Sequence, residues 1–242
     1  MKKIFYILFS LVCLIMIVAS CEKDNLAGPN ATFSGAIKDS IGGGLIEQDL
    51  LNGSVIEVFE LGYATPVSQK WVIKNNGEFL NNLVFANNYD IFMRNGNFFP
   101  YTLYNFAINP GDNQNDFLVV PFIRIKNCSI TRDQTANKIV ATFSLEAGKP
   151  NVKVKTIQLY AFSDIYVGQY IKFTTTGTTF SKSFGPTKAI DGTSYTLSID
   201  LSVNPTLFKT GRDYFFRVGA MADVTGVGTI RTNYAPYVKI SL

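Results

Sequence analysis

From residue 31 onward, apolar and polar positions alternate in short runs and do not recur at the three-to-four spacing of a helix. Val, Ile, Phe, Tyr and Thr fill these runs, and Gly, Asn and Pro punctuate them. β-Branched and aromatic side chains fit a pleated, half-buried surface, so the pattern predicts an all-β chain. Strands are predicted near 32–39, 54–61, 69–74, 79–85, 87–94, 101–108 and 114–121, then near 122–131, 138–147, 155–163, 166–174, 193–201, 212–222 and 233–241. Turn chemistry separates them at Gly42-Gly43-Gly44, Asn75-Asn76-Gly77 and Asn109-Pro110-Gly111-Asp112. Such spacing predicts β-sandwiches, not a parallel sheet with crossover helices.

The N-terminus breaks this pattern. Met1-Lys2-Lys3 is followed by an apolar run from Ile4 to Val18, interrupted only by Ser10. At about 1.5 Å per residue the run is shorter than the hydrocarbon core, which predicts a secretory signal over residues 1–20, not a membrane span. It ends in Val18-Ala19-Ser20-Cys21, small residues before a cysteine, which resembles the lipobox of bacterial lipoproteins. Cys21 is therefore the predicted lipidation site and the lipid bilayer the first predicted partner. Residues 21–30 form a polar linker in which Glu22-Lys23-Asp24-Asn25 resembles the charged tract that exports Bacteroidetes lipoproteins to the cell surface. The expected location is the outer membrane, facing the exterior. With Cys13 removed and Cys21 acylated, Cys128 alone remains a thiol, so no intrachain disulfide forms.

Pro121 divides the mature chain into segments 31–121 and 122–242, each of about the size of one sandwich. Charge divides at the same place: residues 22–121 hold 5 basic and 11 acidic side chains, residues 122–242 hold 15 and 7. Lys153 and Lys155, alternating with Val152 and Val154, read as guards of an edge strand.

One local motif is specific. Leu207-Phe208-Lys209-Thr210-Gly211-Arg212-Asp213 leads into Tyr214, which opens an alternating strand; this resembles the tyrosine corner of fibronectin type III domains, with Tyr214 as a structural clasp. Other motifs reach a family. Asn52-Gly53-Ser54-Val55-Ile56, Glu60-Leu61-Gly62-Tyr63, Trp71, Asn76-Gly77-Glu78-Phe79, Leu83-Val84-Phe85-Ala86, Tyr89 and Phe98-Phe99-Pro100 come in that order. Pro121 to Ile125, Tyr214 to Ala220 and Asn233-Tyr234 follow. Together they resemble the Bacteroidetes lipoproteins grouped as domain of unknown function 3823, over nearly all of the mature chain. The usual family form has glycine and proline before the double phenylalanine, where this chain has Gly96-Asn97. The resemblance implies a transthyretin-like or carboxypeptidase-regulatory-like first sandwich and an immunoglobulin-like second one. It also implies association with SusC/SusD-like glycan uptake systems.

Composition narrows the chemistry. With 47% hydrophobic and 17% charged residues the chain is too apolar to be disordered. It has no histidine, which removes Ser-His-Asp and Cys-His catalysis and histidine-ligated metal. Glu57 and Glu60 share a strand at an odd offset and so face opposite ways. No carboxylate pair is nominated for glycoside hydrolysis, and no enzyme or cofactor is expected. Asp112-Asn113-Gln114-Asn115-Asp116 is oxygen-rich but lacks the glycine and distal glutamate of a calcium loop, which favours an Asx-stabilised turn over a metal site. The basic second half carries no nucleic-acid motif.

Aromatic residues carry the binding expectation. Tyr89, Phe98, Phe99, Tyr101 and Tyr104 cluster with Asn87, Asn88, Asn95 and Asn97, and Trp71 is the sole tryptophan. Rings stack on the C–H faces of sugars while amides bond hydroxyls, so Trp71, Tyr89, Phe98, Phe99 and Tyr101 are the predicted polysaccharide contacts. Core packing and a protein interface use the same residue types. Asp39-Ser40-Ile41 resembles an O-glycosylation acceptor of Bacteroidetes envelopes. The expected function is a non-enzymatic lipoprotein that binds or tethers glycan for uptake. The alternative is a subunit that braces a SusC/SusD-like transporter without touching sugar.

Overall fold

A computed structural model describes residues 27–242. The predicted signal, Cys21 and the charged tract after it lie outside the described residues. The first unit contains β1 (Ala31–Asp39), β2 (Val55–Glu60), β3 (Ser68–Val72), β4 (Glu78–Val84), β5 (Asn87–Met93), β6 (Tyr101–Ile108), β7 (Gly111–Gln114) and β8 (Phe117–Val119). They form two sheets, β4-β1-β7 with β8 also on β1, and β3-β2-β5-β6. The alternation works as read: in β2, Ile56 and Val58 point inward while Val55, Glu57 and Phe59 point outward. Phe33 of β1 meets Trp71 of the facing sheet at 5.7 Å and Phe106 at 5.5 Å between ring centroids, so the sheets pack face to face around aromatic rings. Each such buried ring contributes about 2–3 kcal/mol by leaving water.

The second unit contains β9 (Ile123–Asp133), β10 (Lys138–Ala147), β11 (Lys153–Phe162), β12 (Ser181–Ala189), β13 (Ser194–Asp200), β14 (Asp213–Asp223), β15 (Asn233–Tyr234) and β16 (Val238–Ser241). Its sheets are β13-β10-β9 and β12-β11-β14-β15, with β16 also on β14. Their inner faces share one core that includes Ile139, Phe143, Ile157, Leu197, Phe216 and Val218. The described residues contain no helix.

Several local expectations change. The predicted strand near 114–121 is broken, because Asn115 crosses over Gly35: a Cβ there would lie 1.9 Å from the Asn115 carbonyl oxygen. Residues 166–174 are not a strand. Gly168 N–H closes a tight turn on Ile171 O, and Val167 is fully buried against Tyr160 and Tyr234. The missing strand is β12, whose Gly185-Pro186 disguised it; an edge position lets proline do without a ladder hydrogen bond. The run near 233–241 divides around Pro236. Lys153 and Lys155 line the exposed face of β11, which has neighbours on both sides, so they guard no edge. The real edge, β12, carries Lys182 and Lys188.

Candidate functional site

The predicted aromatic contacts do not form a surface platform. Trp71, Tyr89 and Phe98 are 7%, 1% and 2% exposed and belong to the first core. Trp71 and Tyr89 pack at 5.8 Å, and the Tyr89 hydroxyl donates to Phe85 O at 2.8 Å. Tyr101 is half-buried against the same core, edge-on to Phe117. Phe99 is half-buried against the second core, edge-on to Phe122, with the Lys149 ammonium over its ring at 4.1 Å. Inward strand positions claimed most of these rings, because leaving them wet would forfeit the core.

The outward positions of the same sheet tell a different story. Phe59 of β2, Phe92 of β5 and Tyr104 of β6 form a row across β2-β5-β6. Phe59 and Phe92 pack edge-to-face at 5.6 Å, as do Phe92 and Tyr104, and Tyr104 is 67% exposed. Arg94 lies over Phe92, 4.3 Å from its centroid. Polar groups flank the row: Glu57 accepts from Ser68 Oγ at 2.8 Å and faces Arg94 Nε at 3.7 Å. Asp90 accepts from Asn105 N–H at 2.9 Å. The row runs into a cleft of about 350 Å³ lined in part by Lys70, Phe92, Arg94, Asn95 and Arg231. Tyr104 was visible in the sequence. Phe59 and Phe92 were missed, though their outward phase in alternating strands was the available signal.

The cleft takes residues from both units, which are joined by buried polar chemistry. Arg217 of β14 is fully buried, and all five of its N–H groups are used. It donates to the Glu47 carboxylate, to Gln48 O at 3.0 Å and Asn75 O at 3.3 Å in the first unit, and to Val167 O and Ala235 O in its own. Beside it, Tyr234 donates to Asp49 at 2.5 Å. Burial pushes the Glu47 and Asp49 carboxyls above their ordinary range, against the pull of Arg217 on both and the Tyr234 hydrogen bond to Asp49. This resembles a poised catalytic cluster, but its donors are saturated by protein groups, which makes it a clamp.

A larger cleft of about 540 Å³ lies at the junction, beside a second clamp. There Arg124 donates to both Asp39 oxygens, at 2.5 and 2.8 Å, and to Glu146 at 3.1 Å. Burial alone would raise the Asp39 carboxyl; the hydrogen bonds from Arg124 and the Ile41 amide hold it below its usual range. Ser40 beside it is exposed.

The remaining candidates resolve locally. Asp112 accepts from Thr32 Oγ1 at 2.6 Å; Asp116 accepts from Ala36 N–H at 3.0 Å and Lys38 Nζ at 2.6 Å. Asn113 bonds its own turn. These groups tie the turn to β1. Burial pushes the Cys128 thiol up to about 11, so it stays protonated at neutral pH. The Tyr214 oxygen accepts from Lys209 N–H at 2.7 Å, five residues upstream, which pins the corner.

Comparison with known proteins adds a family. The family described as "Protein of unknown function (DUF3823) N-terminal domain" matches residues 31–120, and "Domain of unknown function (DUF3823_C)" matches residues 123–239. The chain belongs to the DUF3823 family. Among solved structures, one from Bacteroides uniformis described as a "putative carbohydrate binding protein" is 48% identical to this DUF3823 chain, with a TM-score of 0.85 over 89% of this chain and 100% of that one. A DUF3823 family protein from Bacteroides uniformis is 20% identical, with a TM-score of 0.70 over 88% of this chain and 100% of its own. Another from Parabacteroides merdae is 18% identical, with a TM-score of 0.70 over 89% and 100%. These two speak for the fold alone. No curated protein sequence matches the chain significantly.

Proposed function

We propose that this protein is a non-enzymatic glycan-binding accessory of polysaccharide uptake, anchored through an acylated Cys21 in the outer membrane and facing the cell exterior. The observation that carries the reading is the Phe59–Phe92–Tyr104 row, rings on an outward sheet face beside carboxylates and guanidinium groups. Exposed rings are costly unless something covers them, and sugar C–H faces are suited to do so. The description of the 48% identical Bacteroides uniformis protein agrees with this reading. Acyl chains on Cys21 would hold the site beside a SusC/SusD-like transporter and raise the local concentration of captured glycan.

Titration calorimetry against a panel of soluble polysaccharides tests the binding. At least one should bind, and Phe92→Ala with Tyr104→Ala should weaken it about tenfold or more while leaving circular dichroism unchanged. Retention of full affinity by the double variant would remove the row from the proposal. The bracing alternative draws on Val72, Leu80 and Leu83, exposed on the β3 and β4 strands. It predicts that transporter subunits cross-link to β4 in intact cells and that no glycan binds.

A further inference from the structure

We infer that the cleft at the end of the aromatic row is a subsite for an acidic sugar, one bearing a carboxylate such as a hexuronic acid. The inference rests on the glycan-binding reading above and deepens it. Residues 22–121 hold only 5 basic side chains among 11 acidic ones. Lys38 and Lys74 are paired with Asp116 and Glu78. Lys70 and Arg94 both face the cleft, where the second unit adds Arg231.

Among the described residues Arg94 alone of these three cations has an ion-pair partner, Glu57, and Lys70 and Arg231 have none. Asp49 is turned into the junction, taking hydrogen bonds from Tyr234 at 2.5 Å and Gln169 N–H at 3.1 Å. Glu57 is shared between Ser68 and a loose approach of 3.7 Å to Arg94. Arg231 is the decisive group. It is half-buried, its Nη1 reaches only the Tyr170 hydroxyl at 3.4 Å, and its buried Nε has no hydrogen-bond partner. Ser54, 3% exposed and also lining the cleft, has an unpartnered hydroxyl. A buried N–H left without an acceptor is costly, and a planar carboxylate is the partner that the fork geometry of a guanidinium fits. At about 350 Å³ the cleft lies at the small end of ligand sites, large enough for a sugar unit while the adjoining units stack along Phe92 and Tyr104.

The test compares polygalacturonate with the same polymer fully methyl-esterified, in calorimetry and affinity gels, at low and at physiological salt. The unesterified polymer should bind about tenfold or more tightly, and salt should erode that advantage. Arg231→Gln should abolish the discrimination between the two polymers. Lys70→Gln, at an exposed position, should reduce it, which keeps the inference testable should Arg231→Gln not fold. Equal binding of both polymers, or discrimination that survives in the folded variants, overturns the acidic subsite and leaves glycan binding standing. Absence of binding to these and to every polysaccharide of the panel overturns both.

Discussion

Two kinds of buried charge act differently at the residue scale, and pH separates them. Asp39 is held below the ordinary carboxylate range by Arg124, so its contribution is present at neutral pH and is lost as pH falls toward the folded value. Asp39→Asn should therefore cost about 2–3 kcal/mol at neutral pH, the loss of charged hydrogen bonds to a buried guanidinium. The gap between variant and parent in urea denaturation should shrink once pH drops below about 4. A gap constant from neutral to strongly acid pH would mean that the pair contributes no charge-dependent stability. Glu47 and Asp49 have the opposite sign. Their raised carboxyls oppose stability as pH rises from the ordinary carboxylate range through their folded values, and the Arg217 guanidinium keeps that cost tolerable.

At the element scale, alternation made most strands legible, since a pleat sends successive side chains to opposite faces and a core sorts them. It failed where something outside the strand decided. The 166–174 segment has strand-like residues, yet Gln169 N–H is taken by Asp49 and Tyr234, so the loop serves the junction. The aromatic site was only part legible for a related reason. Local density drew attention to 98–104, whereas strand register brings Phe59 beside Phe92 from a distant part of the chain. Asn97, one of the amides that the sequence places around the aromatic cluster, serves the junction instead. Its Nδ2 donates to Glu47 O and Thr232 O, and its Oδ1 accepts from Gln48. Buried at 1% exposure, it bonds the Phe98 loop to both units. Asn97→Ala should cost about 2–3 kcal/mol, the sum of lost bonds and orphaned carbonyls, read by urea denaturation. A cost below about 0.5 kcal/mol would show that the loop holds without it.

For the whole molecule, the charge division seen along the sequence has a location. Acidic Asp39 and Glu47 of the first unit pair with basic Arg124 and Arg217 of the second, and Asp49 accepts from Tyr234 beside them, so part of the imbalance is joined at the seam. The cost of desolvating these ions is offset only while the units stay together, which couples their folding. Calorimetry of the parent should then show one cooperative transition, although two separate cores are present. Arg217→Met keeps comparable bulk but leaves Glu47 and Asp49 without their guanidinium partner, a loss of about 3–5 kcal/mol. It should lower the melting temperature and resolve the trace into two transitions, one per unit. Acidification should partly restore the variant, because protonated Glu47 and Asp49 no longer need a counter-charge. The aromatic row lies on the first unit while Arg231 comes from the second, so the variant should also lose preference for acidic over neutral polymer before it loses stacking on Tyr104. Two transitions in the parent would instead mean that the seam is too weak to position Arg231, and that the cleft forms only when ligand draws the units together.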